Sequence, residues 1–204
     1  MRVLNVSREA VEEAAEVVRS GGLVIYPTDT VYGLGCDPFN RNAVRRLLRA
    51  KRRKGKPLPV AVSSLEAAER IAVFNEVARS VARRFWPGAV TIVLECREEL
   101  PEEVTAGTGR VGVRVPGYRW AVLLAELSGG FIVSTSANVS GMEPPRTVWE
   151  AVRQVGVHVD LALDGGEAKL RRPSTVVDLT SGRPRILRKG PVSFDDILKA
   201  IRVS

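Results

Sequence analysis

Apolar positions along the chain follow two periods that take turns from one end to the other. Val11, Ala14, Ala15 and Val18 fall at helical spacing behind Ser7, so a helix capped by Ser7 is expected to run until Gly21-Gly22. The run LVIYP, Leu23 to Pro27, then reads as a short buried strand, and TDTVYGLGCDPFN as a loop. Asn40 is placed to cap a basic helix carrying Ala43, Val44, Leu47 and Leu48. LPVAV is a second strand, followed by helices beginning near Ser64 and Asn75, the latter stopping before Trp86-Pro87-Gly88. AVTIVLEC and VGVRV are strand-like, with a connection rich in Gly and Thr between them.

The second half repeats the alternation. Trp120 to Leu127 reads as a helix closed by Gly129-Gly130, FIVS as a buried strand, and TSANVSGMEPPR as a loop. Thr147 with Glu150 forms the signature of a capping box for a helix through Val155. VDLAL, STVVDL and PRILR are strands, the last two joined by the turn TSGRP, and Ser193 caps a terminal helix. Strands alternating with helices indicate an α/β (α+β) fold in which helices flank a mixed sheet. No composition shift, repeat or low-complexity tract marks a linker, so residues 1–204 are expected to form a single domain.

Charge changes the picture more than composition does. The chain carries a formal net charge of +8 and a pI near 10.1, which favours an anionic partner such as nucleotide, phosphorylated substrate or nucleic acid. Two cysteines and one histidine are too few for a zinc site built from those ligands, and no structural metal is expected. They support no disulfide framework either, so a reducing, cytoplasmic compartment is the expectation. No signal-peptide h-region opens the chain, and no apolar run approaches the roughly 20 residues of a membrane span.

Several tempting motifs fail on context. GTGRVG, Gly107 to Gly112, fits a dinucleotide pattern but leads into a strand instead of opening a helix. There is no P-loop, because Ala50 stands where its first Gly belongs. His158 lies in the alternating segment VGVHVDLAL and is expected to be a half-buried structural residue, not a triad member. What remains is a shared format, in which a short apolar strand runs straight into hydroxyl, amide or basic groups. VIYPTDTVYGLG, FIVSTSANVSG and RILRKG have it, and Arg114 in VGVRVP and Ser174 in RRPSTVVDL are related. Ligands collect beyond strand ends where such loops converge, and guanidinium groups make bidentate bonds to phosphate or carboxylate. The residues themselves point to a site for a phosphate-bearing ligand with no covalent nucleophile.

Taken in order, PTDTVYGLGCD, AKRRKGKPL, WPGAVTIVL, VGVRVP, STSANVSG, PSTVVDL and ILRKG resemble the motifs of the YrdC/YciO family over nearly the whole chain. The resemblance implies a twisted mixed sheet flanked by helices around a concave basic cavity. It also implies L-threonylcarbamoyladenylate synthase activity, a nucleotidyl transfer in which L-threonine, bicarbonate or CO2 and ATP, normally with Mg2+, yield threonylcarbamoyl-AMP and pyrophosphate. A partner transferase would then use that product to modify tRNA. Carried over by position, Thr30, Arg114, Ser134 and Ser174 would bind L-threonine. Lys51, Arg53, Ser136, Asn138 and Arg188 would bind ATP, with Ser136 and Asn138 near phosphate, metal or pyrophosphate oxygens.

The match has departures. KGKPLPVAV is one residue shorter than the usual spacer, and Ala61 stands near a histidine of relatives. Arg110 replaces a small hydroxyl residue, Lys189 a Pro, and Pro144 a Ser. The additional C-terminal domain of longer relatives is not expected. Two other readings stay open on sequence grounds: a non-enzymatic module binding double-stranded RNA, tRNA or the ribosome, and a paralogue using another amino acid or carbamoyl substrate.

Overall fold

A computed structural model of the protein describes residues 1–97, 100–181 and 183–202. Mixed strand pairing with flanking helices follows the alternating pattern, and the strands divide between two sheets where one is expected. The first sheet runs in the order β1 (Arg2–Asn5), β9 (Leu161–Asp164), β2 (Val24–Tyr26), β3 (Gly33–Gly35), β8 (Thr135–Ser136). The second runs β11 (Arg185–Arg188), β10 (Thr175–Asp178), β5 (Val90–Glu95), β6 (Arg110–Arg114), β4 (Val60–Val62), β7 (Phe131–Val133). The chain passes from β7 to β8, and so from one sheet to the other, through Ser134 alone.

The helices begin where the sequence places their caps. Ser7 Oγ accepts from Ala10 N at 3.1 Å at the start of α1 (Arg8–Arg19), and Asn40 Oδ1 from Ala43 N at 3.1 Å before α2 (Arg41–Ala50). Asn75 does the same for Ala78 N at 2.8 Å in α4 (Glu76–Phe85), and Ser193 for Asp196 N at 3.2 Å in α8 (Phe194–Arg202). Each such cap satisfies an N–H that the helix cannot, a contribution of about 1 kcal/mol. The apolar stripe of α1 packs with Ala121, Leu124 and Ala125 of α6 (Arg119–Leu127) on one face of the sheets. Val60, Val62, Val113, Val133 and the buried side of α2 belong to the larger core. Complete burial of Val11 or Leu124 contributes roughly 1.5–3 kcal/mol apiece.

Four local features differ from the sequence reading. Residues Arg2–Asn5 form β1, parallel to β9, where no strand is expected. GLG pairs with β2 instead of looping, because a Cβ at Gly33 would lie 3.0 Å from the Tyr26 ring and one at Gly35 2.7 Å from Ile132 Cδ1. The glycines let β3 lie flat beneath those two side chains. His158 is exposed at the end of a 3-10 turn, Gly156–His158, not half-buried in a strand, since α7 (Val148–Val155) tightens before β9 begins. The capping box at Thr147 is half formed. Thr147 Oγ1 accepts from Glu150 N at 3.3 Å, but the Glu150 carboxylate reaches back to Arg146 N at 2.6 Å. Gly182 of the expected TSGRP turn lies outside the described residues. No helix among the described residues is long and apolar enough to cross a membrane.

Candidate functional site

The loop after β2 is built on a hydroxyl. Thr28 Oγ1 donates to Val31 O at 2.6 Å and accepts from Thr30 N at 3.1 Å, which folds Thr28 to Thr30 into a compact turn. Backbone bonds from Leu170 N to Asp29 O and from Arg172 N to Thr30 O, at 2.9 and 3.2 Å, pin that turn from the far loop. Its side chains meet Arg114, the last residue of β6. Arg114 Nη1 donates to Thr30 Oγ1 at 3.0 Å, Nε to Gly88 O at 2.7 Å, and Nη2 to Asp29 Oδ1 in a buried ion pair. Burial draws the Arg114 pKa down, while Asp29 and Tyr26 hold it up. Ala61 is its register partner in β4, so a methyl group occupies the position beside Arg114 on that face of the ladder. Ser134 sits next to the Tyr26 hydroxyl at the crossing between sheets.

A second cluster forms around the loop after β8. Lys51 closes α2 and is only 2% exposed. Its Nζ donates to Asn138 O at 2.8 Å and to Ser136 O, and Ser140 N donates to Lys51 O at 2.9 Å. Asn138 Nδ2 spans the loop to Val139 O and Met142 O at 2.9 and 2.8 Å, while its Oδ1 is buried with no partner among the described residues. Burial, reinforced by Arg53, lowers the Lys51 pKa to about 7.

The third cluster joins the remaining residues. Arg188, at the end of β11, donates from Nε to Ser174 O and from Nη2 to Ser174 Oγ, both at 3.0 Å, and Ser174 Oγ lies 2.8 Å from Thr91 Oγ1. Arg53 is held by Lys56 O at 3.3 Å and Pro57 O at 2.6 Å. Arg53 and Arg188 line one cavity of about 420 Å³ together with the apolar Pro59, Val93 and Val176 and with Asp178, which is buried and paired with both Arg110 and Arg185. Burial lowers the Arg188 pKa, and the charges of Arg114 and Arg53 lower it further. Mutual repulsion among cations held this close makes the site a strong attractor for anionic oxygen.

Every residue singled out from sequence therefore falls in one of three connected clusters, with Thr30 on Arg114, Lys51 under Ser136 and Asn138, and Ser174 on Arg188. Two features differ from the expectation. Lys51 is sunk beneath the STSAN loop and spends two of its three N–H bonds on backbone carbonyls, so at most one can turn to a ligand. Ser174 is the anchor of Arg188, which couples positions assigned to different ligands. Asp29 escapes sequence reasoning because its partner lies 85 residues away. The Arg110 arm of the Asp178 bridge is hidden in the same way, 68 residues apart, whereas Arg185 is the register partner of Asp178 across the β10–β11 hairpin.

Comparison with known proteins gives this geometry a context. The Sua5/YciO/YrdC family model, described as telomere recombination, matches residues 16–190. A threonylcarbamoyl-AMP synthase of Pyrococcus abyssi is 39% identical over 98% of the chain, which spans 60% of that protein's length. One from Thiobacillus denitrificans is 39% identical over 87% of the chain and 95% of its own length. The solved structure of P. abyssi Sua5 complexed with L-threonine superposes with a TM-score of 0.94 at 38% identity, covering 98% of this chain and 60% of that one.

Proposed function

This chain belongs to the Sua5/YciO/YrdC family, and from that premise we propose that it is an L-threonylcarbamoyladenylate synthase. Its substrates are L-threonine, CO2 or bicarbonate, and ATP, and its products threonylcarbamoyl-AMP and pyrophosphate. The observation that carries the reading is the adjacency of two unlike subsites. One is the Arg114–Thr30–Asp29 cluster at the end of β6, suited to the polar groups of an amino acid. The other is the Arg53–Arg188 cavity with Lys51 behind it, suited to a nucleoside triphosphate. The two subsites share β6, since Gly112 lines the cavity and Arg114 ends the strand two residues on.

The chemistry follows from those placements. Threonine bound through its carboxylate presents its amino group, which after losing a proton captures CO2 through its lone pair as a carbamate and releases a second proton to solvent. A carbamate oxygen attacks the α-phosphorus of ATP in line, and pyrophosphate leaves with the electron pair of the broken P–O bond. Such a transfer needs positioning and stabilisation of charge, which fixed guanidinium groups supply without reorganisation. Among the described residues no group of three or more His, Cys, Asp or Glu could hold an ion. Mg2+ would accompany the triphosphate and neutralise part of its charge, and the unpartnered Asn138 Oδ1, with Ser136 near it, would offer a neutral oxygen donor. The product is a reactive mixed anhydride destined for a threonylcarbamoyl transferase acting on tRNA, in the cytoplasm.

Incubating the protein with ATP, labelled bicarbonate and individual amino acids tests the proposal. Pyrophosphate and labelled carbamoyl-adenylate are expected with L-threonine. Turnover only with another amino acid, or none with any, overturns it.

A further inference from the structure

The Asp29–Arg114 pair sits at the centre of the site with the wrong charge for a purely anionic ligand. Arg188, itself beside Arg53, acts on Arg114 as a neighbouring cation, yet a carboxylate only 6% exposed lies against the guanidinium expected to take a substrate carboxylate. The counter-ion role accounts for Oδ1 and leaves Oδ2 unassigned. Arg114 is already engaged by Gly88 O and Thr30 Oγ1, and Asp29 uses only Oδ1 on it. No donor among the described residues engages Asp29 Oδ2. Room for that oxygen is kept by Gly117, where a Cβ would lie 2.9 Å away.

An α-amino acid at neutral pH carries a carboxylate and an ammonium on one carbon. A buried guanidinium beside a buried carboxylate is the mirror of that charge pair. We propose that Asp29 is the residue that recognises the substrate's α-ammonium, its free Oδ2 accepting the ammonium while Arg114 takes the carboxylate. The pair then selects zwitterionic amino acids and rejects the corresponding hydroxy acids, whose lone negative charge meets Asp29 unshielded. It also settles the register of binding, since only one orientation satisfies both charges. This inference rests on the amino-acid reading of the Arg114 subsite given above.

Calorimetric titration with two ligands tests it: L-threonine and (R)-3-hydroxybutyrate, which keeps the carboxylate and hydroxyl and lacks the amine. The wild-type protein should bind hydroxybutyrate at least about ten-fold more weakly than threonine, because a buried charge–charge bond is missing. In Asp29→Asn, threonine affinity should fall by about 10- to 100-fold, while hydroxybutyrate affinity stays level or rises as the like charge disappears. Equal loss for both ligands would show Asp29 acting only through Arg114 and would overturn the inference. So would wild-type protein that binds the two equally, a comparison that needs no variant to fold. Wild-type protein that binds ATP but no threonine overturns the threonine assignment first, and this inference with it.

Discussion

Lys51 carries the most quantitative prediction. Its ammonium is buried beneath the STSAN loop with a pKa near 7, against 10.5 for the free side chain. The gap corresponds to on the order of 4–5 kcal/mol by which burial disfavours the charged form. At pH 8 the neutral form of Lys51 is therefore expected to predominate in the absence of nucleotide. A triphosphate against its remaining N–H restores the charge, since opposite charge nearby raises a lysine pKa. Binding of Mg-ATP at pH 8 should then take up close to one proton, and at pH 6 close to none.

Two slopes of opposite sign follow. Nucleotide affinity should fall as pH rises above 7, by up to about ten-fold per pH unit, because the binding form of Lys51 is being titrated away. Stability of the nucleotide-free protein should rise through the same window. The unfolded chain binds more protons there than the folded one does, so from pH 7 toward 10.5 the cost of the buried charge is removed. Calorimetric titration of Mg-ATP in two buffers of different ionisation enthalpy reads the proton uptake directly. Lys51→Met should abolish it. An uptake near zero at pH 8 with the native lysine would refute the reasoning, and would mean that the Ser136 and Asn138 carbonyls keep the ammonium charged throughout.

Three further outcomes are expected. Arg114→Ala should weaken threonine binding more than ATP binding and Arg188→Ala the reverse, each by about 2–4 kcal/mol at its own ligand, read by paired titrations; equal losses at both ligands would dissolve the two-subsite reading. Gly35→Ala should cost about 1–3 kcal/mol in urea unfolding, because its Cβ would meet Ile132 Cδ1 at 2.7 Å and Val133 O at 2.8 Å. For Asp178, burial raises the pKa, but the Thr180 bonds, Arg185 and Arg110 outweigh it and hold the group below the ordinary aspartate value. Its contribution is present above the unfolded pKa and lost as pH falls through the folded one. Asp178→Asn should cost about 1–3 kcal/mol at pH 7, with a deficit that closes in acid.

The parts of this protein legible from sequence are those in which a residue acts on its near neighbours. The caps at Ser7, Asn40, Asn75 and Ser193 each act within three residues, so a local pattern suffices to find them. The apolar stripe of α1 is likewise written in one stretch. GLG defeats that approach because its reason for being a strand is Tyr26 and Ile132 above it, and glycine has no side chain to announce the fact. The polar strand ends Thr30, Arg114, Ser136 and Arg188 were legible as chemistry but not as partners. Whether Arg114 faces Thr30, and whether Ser174 belongs with threonine or with Arg188, depends on which strands the two sheets bring side by side.

Asp29 shows what that distinction means for function. In the sequence it is one polar residue between two threonines, and a loop aspartate needs no further explanation. Once β6 delivers Arg114 beside it, the same carboxylate changes the charge of the Arg114 subsite from cationic to dipolar. An all-arginine pocket would bind phosphate, sulfate or any small acid about equally, and ATP itself could compete for the amino-acid subsite. A single buried carboxylate makes that error costly, because a phosphate oxygen brought against Asp29 would pair two negative charges at low dielectric. On the proposed reading the arrangement would sort two substrates, directing the triphosphate to Arg53 and Arg188 in the cavity and the zwitterion to the carboxylate-paired Arg114.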